Sequence, residues 1–503
     1  MPLPPSRLNT LAQAGRWRVL ALGIGVGLIA ATGQAPLGET LLGFLAIALF
    51  LRIVVHAPNW RRAAWIGWSV GLGYFCGTLF WIVEPFMVDA ATHGWMAPFA
   101  LFFMAGGMAL FWGLAAGLAA QLGGVLAFAL CLAAVEMARS YVLTGFPWAL
   151  IGYIWLDTPV IQLAAWIGPH GVTLLTTLVA AGLAVVSQRA GRVWQAGTVA
   201  AIAAVIYAPW HPSPAEANGP MVRLIQPNAP QHQKWDPAFQ PVFLKRLLDM
   251  TAAPADTPPD LIVWPETTLP RLLNTSGRLV QTIAEAAGDS AVVFGAIRRE
   301  GIKARNSMVA LNAAGITTHV YDKHHLVPFG EYLPLAWILN SLGLYGLAEQ
   351  AGGYQAGPGP EVLDLGTTLG KVLPLICYEA IFPHDVAGSA TRPQWVLQIT
   401  NDAWFGNLAG PQQHMAQARI RAIEQGLPLL RAANTGVTAV IGPRGEVYQS
   451  IALNTTGYLD ARVPKRLSET VYGRTGNWPI LVLLIAGITA RTIRRHPKKV
   501  DAL

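Results

Sequence analysis

The amino-acid sequence predicts a membrane-embedded α-helical bundle of about eight spans, with one α/β domain inserted before the last span. Three observations support this fold class. The 503-residue chain is 53% hydrophobic and only 12% charged, whereas soluble domains are about one quarter charged. Its long apolar segments lie in the first two hundred residues and the last thirty. Between them, short β-prone runs alternate with helical patterns, which is typical of layered α/β domains.

A helix that crosses a membrane needs about 20 mostly apolar residues, and eight segments of the chain approach or reach this length. We expect retention of the first segment, because no convincing signal-peptide cleavage site follows it. The last segment is short, but Trp478 and Arg491 suit the two membrane interfaces. The candidate spans are 17–31, 41–55, 64–83, 96–118, 122–142, 160–186, 193–208 and 478–490.

Lysine and arginine in the short loops predict the orientation of the chain. Four basic groups fall on one side if the spans alternate, and the opposite loops 32–40 and 84–94 contain no lysine or arginine. Both termini are therefore expected in the cytoplasm and the insert outside it, with Arg139 as the single exception. The net charge of +8 belongs to these span ends, which face anionic lipid and not nucleic acid. The four groups are Arg16 and Arg18; Arg61 and Arg62; Arg189 and Arg192; and Arg491, Arg494, Arg495, Lys498 and Lys499.

The insert divides the chain into three predicted regions: spans one to seven at 1–210, an extracytoplasmic domain at 211–476, and a final span with a basic tail at 477–503. Runs rich in β-branched and apolar residues predict its strands, and longer amphipathic patterns predict its helices. The expected strands are 222–226, 261–264, 291–294, 307–311, 372–376, 395–399 and 437–441, and the expected helices include 277–287 and 412–424.

Cys377 is the one cysteine of the insert, since Cys76 and Cys131 fall inside apolar runs. No disulfide framework is implied. Cys377 follows an apolar strand and precedes a turn, a position that exposes a nucleophile and directs the following N–H groups toward an oxyanion. The simpler alternative is a small buried apolar residue, which is the usual role of a lone cysteine.

Glu266 and Lys323 also follow β-prone runs. A carboxylate at Glu266 suits a general base that takes the thiol proton and later returns it to a leaving group. An ammonium at Lys323 suits stabilisation of a developing oxyanion. Each residue has a simple alternative: a surface glutamate at a strand end, and a solvated lysine paired with Asp322.

The surrounding motifs are more specific than the three residues alone. Lys323 leads into the string 324–334 (HHLVPFGEYLP), where Glu331 supplies an acid that can orient the lysine. Glu379 supplies another acid beside the thiol, and 401–405 (NDAWF) follows a further strand. On these motifs the insert resembles a nitrilase-superfamily domain with a Glu–Lys–Cys triad. The whole chain, including 143–148 (LTGFPW), resembles the apolipoprotein N-acyltransferase family.

The resemblance implies that Glu266 is the general base, Lys323 the oxyanion-stabilising lysine and Cys377 the nucleophile. It also implies an αββα sandwich attached to membrane helices. The expected reaction transfers an acyl chain from a membrane phospholipid, through a thioester on Cys377, to the N-terminal amine of a diacylglyceryl-cysteine apolipoprotein. No cofactor is expected. The residues expected to support the site or bind substrate are Glu331, Glu379, Tyr378, Trp235, Asn401 and Trp404.

The same resemblance implies a monomeric protein of the bacterial inner membrane with a periplasmic catalytic domain. One rival reading is a membrane-anchored amidase of the nitrilase type, which would use the same triad to hydrolyse a carbon–nitrogen bond. The non-enzyme rival is a transporter with a soluble sensor domain. The spans show little of the internal duplication that is common in transporters.

Three further features carry weaker expectations. Glu136 and Arg139 are three residues apart and are expected to pair on one helix face, either for function or to support the loop 146–148. Residues 335–353 form either a lid that guides acyl chains or ordinary packing. His324 and His325 are adjacent and are expected to point apart, so we assign no metal site.

Overall fold

The computed structural model describes residue 12 and residues 14–189, 192–207, 212–341, 353–388 and 391–495. Within these ranges the chain forms two compact units. The helical unit contains the described residues up to 207, together with Leu408–Ala416 and 474–495. The α/β unit contains the described residues of 212–407 together with Gln417–Gly473.

The helical unit has three stretches that are long and apolar enough to cross a membrane, at Trp60–Met87, Ala90–Leu122 and Pro159–Val185. Shorter apolar helices accompany them, so the predicted membrane bundle is confirmed, while the number of eight spans stays a prediction. The helices are α1 (Arg16–Ala31), α2 (Thr40–Val54), α3 (Trp60–Leu79), α4 (Glu84–Met87), α5 (Ala90–His93), α6 (Ala97–Leu122), α7 (Val125–Ala138), α8 (Ala164–Arg189) and α9 (Arg192–Ile206).

Local chemistry explains where two of these helices depart from the predicted spans. Helix α3 begins four residues earlier than predicted because the Asn59 side chain accepts a hydrogen bond from the Arg62 N–H and caps the helix. Helix α7 begins only at Val125 because Gly123 and Gly124 both have positive φ angles, which end α6 and break the apolar run. Exposed Phe103 and Leu110 on α6 are the lipid-facing surface expected of a membrane helix.

The α/β unit contains two six-stranded sheets. Their orders are β12-β1-β2-β3-β4-β5 and β11-β10-β9-β8-β7-β6. In each sheet three neighbouring strands are parallel and antiparallel strands extend both sides. The strands are β1 (Met221–Gln226), β2 (Leu261–Val263), β3 (Ala291–Glu300), β4 (Lys303–Leu311), β5 (Thr317–Asp322), β6 (Leu363–Asp364), β7 (Lys371–Ile376), β8 (Trp395–Thr400), β9 (Leu429–Ala433), β10 (Thr438–Ile441), β11 (Val447–Ile451) and β12 (Gly457–Arg462).

Helices cover the sheets, which contact each other through pairs such as β1 with β9 and β4 with β7. On the first sheet, apolar residues of two helices join a core that includes Trp264 and Phe294. The predicted αββα sandwich is confirmed. The helices that follow α9 in the chain are α10 (Gln231–Lys234), α11 (Gln240–Thr251), α12 (Gly277–Ala287), α13 (Ala336–Ser341), α14 (Pro383–Ala387), α15 (Gly410–Gln425), α16 (Val471–Thr475) and α17 (Trp478–Arg495). Of these, α17 belongs to the helical unit, and the unit boundary falls within α15 and α16.

Topology places several candidate residues at one end of the sandwich. Strands β2 and β3 are parallel, and β5 runs in the same direction because two antiparallel steps separate it from β3. Glu266 follows β2 and Lys323 follows β5. In the second sheet Cys377 follows β7 and Asn401 follows its parallel neighbour β8. In α/β folds, ligands commonly bind at the carboxyl ends of the parallel strands.

Candidate active site

Glu266, Lys323 and Cys377 come together in the interior of the α/β unit. The exposed fractions of these residues are 5%, 1% and 5%. Lys323 Nζ lies 3.5 Å from Glu266 Oε1, and both charged groups act electrostatically on the Cys377 thiol. The structure therefore gathers an acid, an amine and a thiol in one desolvated place, where electrostatic interactions are stronger than in water.

The backbone at Cys377 forms a sharp elbow. Its φ angle is +50°, a left-handed conformation that is unusual for a residue with a side chain. Strand β7 ends at Ile376 and a 3₁₀ turn over Cys377–Ile381 follows at once. Gln398 Nε2 donates to the Cys377 carbonyl at 3.3 Å. The predicted strand-to-turn position of the thiol is confirmed.

The thiol of Cys377 is held in its neutral form at rest. Burial raises its pKa well above the ordinary value, and the negative charge of Glu266 raises it further. Lys323 and a hydrogen bond with Thr400 act in the opposite direction but do not outweigh burial. A thiol in this state needs a base to take its proton as it attacks.

Glu266 is held by a hydrogen bond to each carboxylate oxygen. Asn306 Nδ2 donates to Oε1 at 2.7 Å, and the Asn401 backbone N–H donates to Oε2 at 2.8 Å. Gly295 lies beside it on β3, where an added Cβ would come within 2.5 Å of the Glu266 Cα. The two hydrogen bonds thus orient the carboxylate, and the lack of a side chain at Gly295 leaves space for the Glu266 backbone.

Lys323 is fixed by two carboxylates. Its Nζ donates to Glu331 Oε1 at 3.0 Å, as the sequence predicted. Burial alone would lower its pKa, but attraction to Glu331 and Glu266 outweighs burial and raises it, so the amine stays an ammonium. The alternative pairing with Asp322 is wrong, because Asp322 pairs with Arg298 on β3, across the intervening strand β4.

Glu331 and Glu379 are both held by backbone donors. The Val327 N–H donates to Glu331 Oε2 at 2.8 Å, which closes the loop after Lys323 around this carboxylate. Glu379 is fully buried and accepts from the Ile376 N–H at 2.7 Å and the His324 N–H at 2.7 Å. It therefore ties the cysteine elbow to the loop that carries the lysine.

The four remaining predicted residues fall into two groups. Trp235 and Trp404 are partly open to solvent, with exposed fractions of 42% and 38%. Tyr378 and Asn401 are buried. The Asn401 side chain donates to Gln231 Oε1, while its backbone N–H contacts Glu266. Asn401 is thus placed to orient the acid.

Lys234 is a functional candidate that the sequence reasoning missed. Its Nζ donates to the Glu266 carbonyl at 3.1 Å and to Thr267 Oγ1 at 2.7 Å. Burial lowers its pKa to about 8, against the raising effect of the Glu266 and Cys377 charges. Its place next to Trp235 in the sequence pointed to the site, but only the fold brings its amine into contact with the Glu266 backbone.

Two other contacts were also missed. Asn306 bonds both Glu266 and Glu331, and Thr400 bonds the thiol of Cys377 and the carboxylate of Asp402. Arg431, from β9, forms an ion pair with Asp402. Asn306 and Thr400 are interior strand residues, and nothing in the local sequence separates them from ordinary core positions.

The expectation that His324 and His325 point apart is wrong. His324 Nε2 and His325 Nδ1 lie 3.1 and 2.8 Å from the same oxygen, Asp385 Oδ2. Among the residues that the structure describes, these three could hold a metal ion, because their ligand atoms lie within 4.8 Å of one another. Two nitrogens at hydrogen-bond distance from one oxygen fit N–H donors better than two metal ligands.

In the helical unit, the predicted pair of Glu136 and Arg139 is confirmed. Both side chains are fully buried, and Arg139 Nε lies 2.8 Å from Glu136 Oε1. Arg139 Nη1 also donates to the Phe146 and Trp148 carbonyls. The pair therefore supports the 146–148 loop. Of the predicted lid at 335–353, residues 342–352 lie outside the described part of the chain.

Comparison with known proteins agrees with both units. Residues 26–182 match the family described as the apolipoprotein N-acyltransferase N-terminal domain, and residues 221–472 match the carbon-nitrogen hydrolase family. Apolipoprotein N-acyltransferases of Caulobacter vibrioides and Brucella melitensis are 38% and 36% identical, over 95% of this chain and of each relative. That of Rhodopseudomonas palustris is 34% identical over 96% of both chains.

Solved structures of lower similarity were also found. An amidase from Nesterenkonia sp. is 20% identical and matches 54% of this chain and 98% of its own, with a TM-score of 0.39. A mutant of the Nesterenkonia AN1 amidase from the nitrilase superfamily is 21% identical over the same shares, with a TM-score of 0.40.

The fold and the gathered acid, amine and thiol define the class: a membrane protein that carries a carbon–nitrogen hydrolase domain of the nitrilase type. The identity over nearly the full chain is more specific. The chain belongs to the apolipoprotein N-acyltransferase family. It is an acyltransferase, and its apolar helices and family membership indicate an inner-membrane protein.

Proposed function

We propose that this protein transfers an acyl chain from a membrane phospholipid to the N-terminal amine of a diacylated apolipoprotein, with Cys377 as the nucleophile, Glu266 as the base and Lys323 as the oxyanion-stabilising group. The observation that carries the proposal is the burial of these three groups together in a chain of this family. The names of the relatives supply the acceptor, and the phospholipid donor follows from the membrane location.

In the first half-reaction, Glu266 takes the Cys377 proton as the sulfur attacks an ester carbonyl carbon of the phospholipid. The carbonyl π electrons move to oxygen, where Lys323 and the backbone N–H groups after Cys377 stabilise the negative charge. The tetrahedral intermediate then collapses and the C–O bond breaks. Glu266 returns the proton to the departing alkoxide, which leaves as a lysophospholipid, and a thioester remains on Cys377.

In the second half-reaction, the neutral α-amine of the apolipoprotein attacks the thioester carbon. A new tetrahedral oxyanion forms against Lys323, and its collapse breaks the C–S bond. Glu266 takes the proton from the attacking nitrogen and delivers it to the Cys377 sulfur, which restores the resting thiol. Exclusion of water favours aminolysis over hydrolysis of the thioester.

The supporting residues have defined tasks in this proposal. Glu331 and Asn306 hold the ammonium and the base in position, and Glu379 holds the elbow. The exposed Trp235 and Trp404 are proposed to contact the apolar parts of the two substrates, because large aromatic side chains supply most contact area at binding surfaces.

The test follows the acyl group. The purified protein is incubated with phospholipid labelled in one acyl chain, and a hydroxylamine-labile label is expected on Cys377. Addition of a diacylglyceryl-cysteine peptide should then move the label to the peptide amine. Cys377→Ala should remove the label, while the matched control Cys131→Ala, in the helical unit, should keep it. Release only as free fatty acid would instead support a hydrolase of the amidase type.

We also propose the finer topology: eight spans, both termini in the cytoplasm, a catalytic domain at 211–476 in the periplasm, and a monomeric protein. Support comes from the distribution of lysine and arginine among the short loops. Ile302 is 89% exposed in the α/β unit. Ile302→Cys should react with a membrane-impermeant maleimide added to spheroplasts, and reaction only after lysis would reverse the orientation. Light scattering of the purified protein tests the monomer.

A further inference from the structure

Glu379 is a buried carboxylate whose charge needs an explanation. Its Oε1 accepts from Tyr321 Oη at 3.0 Å and from the His324 N–H at 2.7 Å. The same oxygen lies 2.6 Å from His324 Nδ1. A carboxylate taken out of water in this way is stabilised by hydrogen-bond donors and by a nearby positive charge. Lys323 is already paired with Glu331 and Glu266.

His324 meets a second carboxylate on its other side. Its Nε2 lies 3.1 Å from Asp385 Oδ2, and the ring is about nine-tenths buried. An imidazole that faces a carboxylate at each nitrogen satisfies both only when both nitrogens carry a proton, which makes it an imidazolium. In the neutral ring, one nitrogen would present a lone pair and not a proton to the carboxylate oxygen beside it.

We propose that His324 is a positioning residue that acts as an imidazolium cation: it bridges Glu379 and Asp385, and so fixes the loop carrying Lys323 against the elbow carrying Cys377. The proposal rests on the proposed function of Cys377 as the acylated residue. Its consequence is that acylation of Cys377 declines when the imidazolium loses its proton.

The charged groups around His324 favour its protonated form. Burial alone would lower its pKa, but the carboxylates of Asp385 near Nε2 and Glu379 near Nδ1 outweigh burial and raise it to about 9. Tyr321 approaches from β5, with Glu361 in electrostatic range of the phenol. Among the residues that the structure describes, the other histidines nearby are His325 on the same loop, whose ring centroid lies 5.9 Å away, and His384 on α14, whose pKa is lowered by burial.

The direction of the pH effect follows from the raised pKa. Because the folded value is above the ordinary value of about 6.5, the interaction is complete at and below neutral pH. It is lost as the pH rises through about 9. Below neutral pH the charge of His324 does not change, so we expect its effect on the acylation rate only at alkaline pH.

The decisive experiment alters the far carboxylate. Asp385→Asn removes one anion from His324 without touching Glu379, so the imidazolium should lose its proton at lower pH. The rate of Cys377 acylation by labelled phospholipid is measured from about pH 6 to 10. We expect the alkaline midpoint to fall by about one pH unit, while the rate stays independent of pH near 6.5, as in the wild type.

His384→Gln is the matched control, because His384 is the neighbour of Asp385 along α14 and is neutral at pH 7. It should leave the alkaline midpoint unchanged. Lys234 also titrates near this range, but it bonds Glu266 and Thr267, so Asp385→Asn should leave its contribution in place.

His324→Arg provides a second test, since a guanidinium keeps its charge across this pH range. It should retain measurable acylation and move the alkaline midpoint upward, whereas His324→Gln should lower the rate at all pH values by about tenfold, because a neutral amide cannot replace a charged donor to both carboxylates. Near-equal melting temperatures of the purified variants would exclude misfolding as the cause.

Three outcomes would overturn the proposal. An alkaline midpoint that is the same in Asp385→Asn and the wild type would show that His324 does not set it. Stoichiometric zinc in the purified protein, lost in Asp385→Asn, would show that a metal and not a proton joins these residues. Failure of the wild type to form any thioester would remove the proposed function, and this inference with it, whereas labelling without a shifted midpoint removes the inference alone.

Discussion

The two units each bury a cluster of opposite charges, and the clusters differ in composition. In the helical unit Glu136 and Arg139 form a closed pair, because the arginine's remaining N–H groups bond backbone carbonyls. In the α/β unit the Lys323 ammonium is shared by Glu266 and Glu331, and a thiol lies beside them. A closed pair holds structure, whereas in the proposed mechanism the carboxylate of Glu266, which shares its cation, also exchanges a proton with the thiol.

The largest expected effect tests the proton-exchanging cluster. Glu266→Gln should reduce formation of the acylated Cys377 by about 10³-fold, within the range for removal of a general base. The fold should persist, because the amide oxygen can still accept from the Asn401 N–H, and the amide NH2 can donate to Asn306 Oδ1 once that side chain turns over. The measurement is single-turnover labelling at neutral pH. Glu285→Gln, on the exposed face of α12, is the control, and near-normal labelling of Glu266→Gln would contradict the assigned role.

The closed pair should respond in stability and not in chemistry. Arg139→Met leaves Glu136 buried without its cation, so we expect a loss of about 3–5 kcal/mol in the free energy of unfolding. Denaturant unfolding of the detergent-solubilised protein measures it. Glu136→Gln combined with Arg139→Met should lose less, because no charge is left unpaired. A single variant as stable as the wild type would show that the pair is dispensable.

The next effect concerns the space beside the base. Gly295→Ala places a methyl group where the Thr267 N and the Glu266 Cα lie within 2.4 and 2.5 Å. The segment that carries Glu266 must shift, and a displacement of about 1 Å at a catalytic group typically costs about 10²-fold in rate. We expect this loss in thioester formation with little change in melting temperature. Gly277→Ala, where an added Cβ meets nothing within 4 Å, should be neutral, and an equal loss there would point to a general effect.

The smallest effect is expected from the second amine. Lys234→Met removes two hydrogen bonds that hold the Glu266 segment, so the acylation rate should fall by about tenfold. The wild type should also show a shallow decline centred near pH 8, where the lowered pKa of Lys234 places the loss of its charge, and the variant should lack it. Lys245→Met is the control, because Lys245 forms an exposed pair with Asp249. A decline that persists in Lys234→Met would assign it to another group.

Much of the fold was predictable because it depends on local periodicity. Every predicted strand overlaps an observed one, and the predicted helix over Gly277–Ala287 has the observed bounds. One missed strand depends on a distant partner. Strand β12 pairs with β1 from more than two hundred residues away, and its own pattern is weakly apolar. Some helices also begin or end at residues other than the predicted ones, because capping residues and glycines such as Asn59 and Gly123 determine helix ends more precisely than hydropathy does.

For the site, the acid, the lysine and the cysteine were predicted together, because each follows a β-prone run and the surrounding motifs resemble a known family. The partners of those residues were not predictable. Asn306 and Thr400 look like ordinary strand residues in the sequence, and the fold alone brings them and Lys234 to the site. The adjacent histidines gave a wrong expectation, because a loop lets neighbours turn to one side and Asp385 attracts both.

The sequence by itself therefore determined the two-part architecture and the chemical groups, since apolar periodicity and residue type are written in neighbouring positions. The tertiary structure alone decided which groups share charge: the pairing of Lys323 with Glu331 and Glu266, the Lys234 amine beneath the base, and the imidazole between Glu379 and Asp385. The physical reason is that electrostatic and hydrogen-bond energies depend on distances of a few ångströms and on burial. Both are set by strands and loops that lie far apart in the chain.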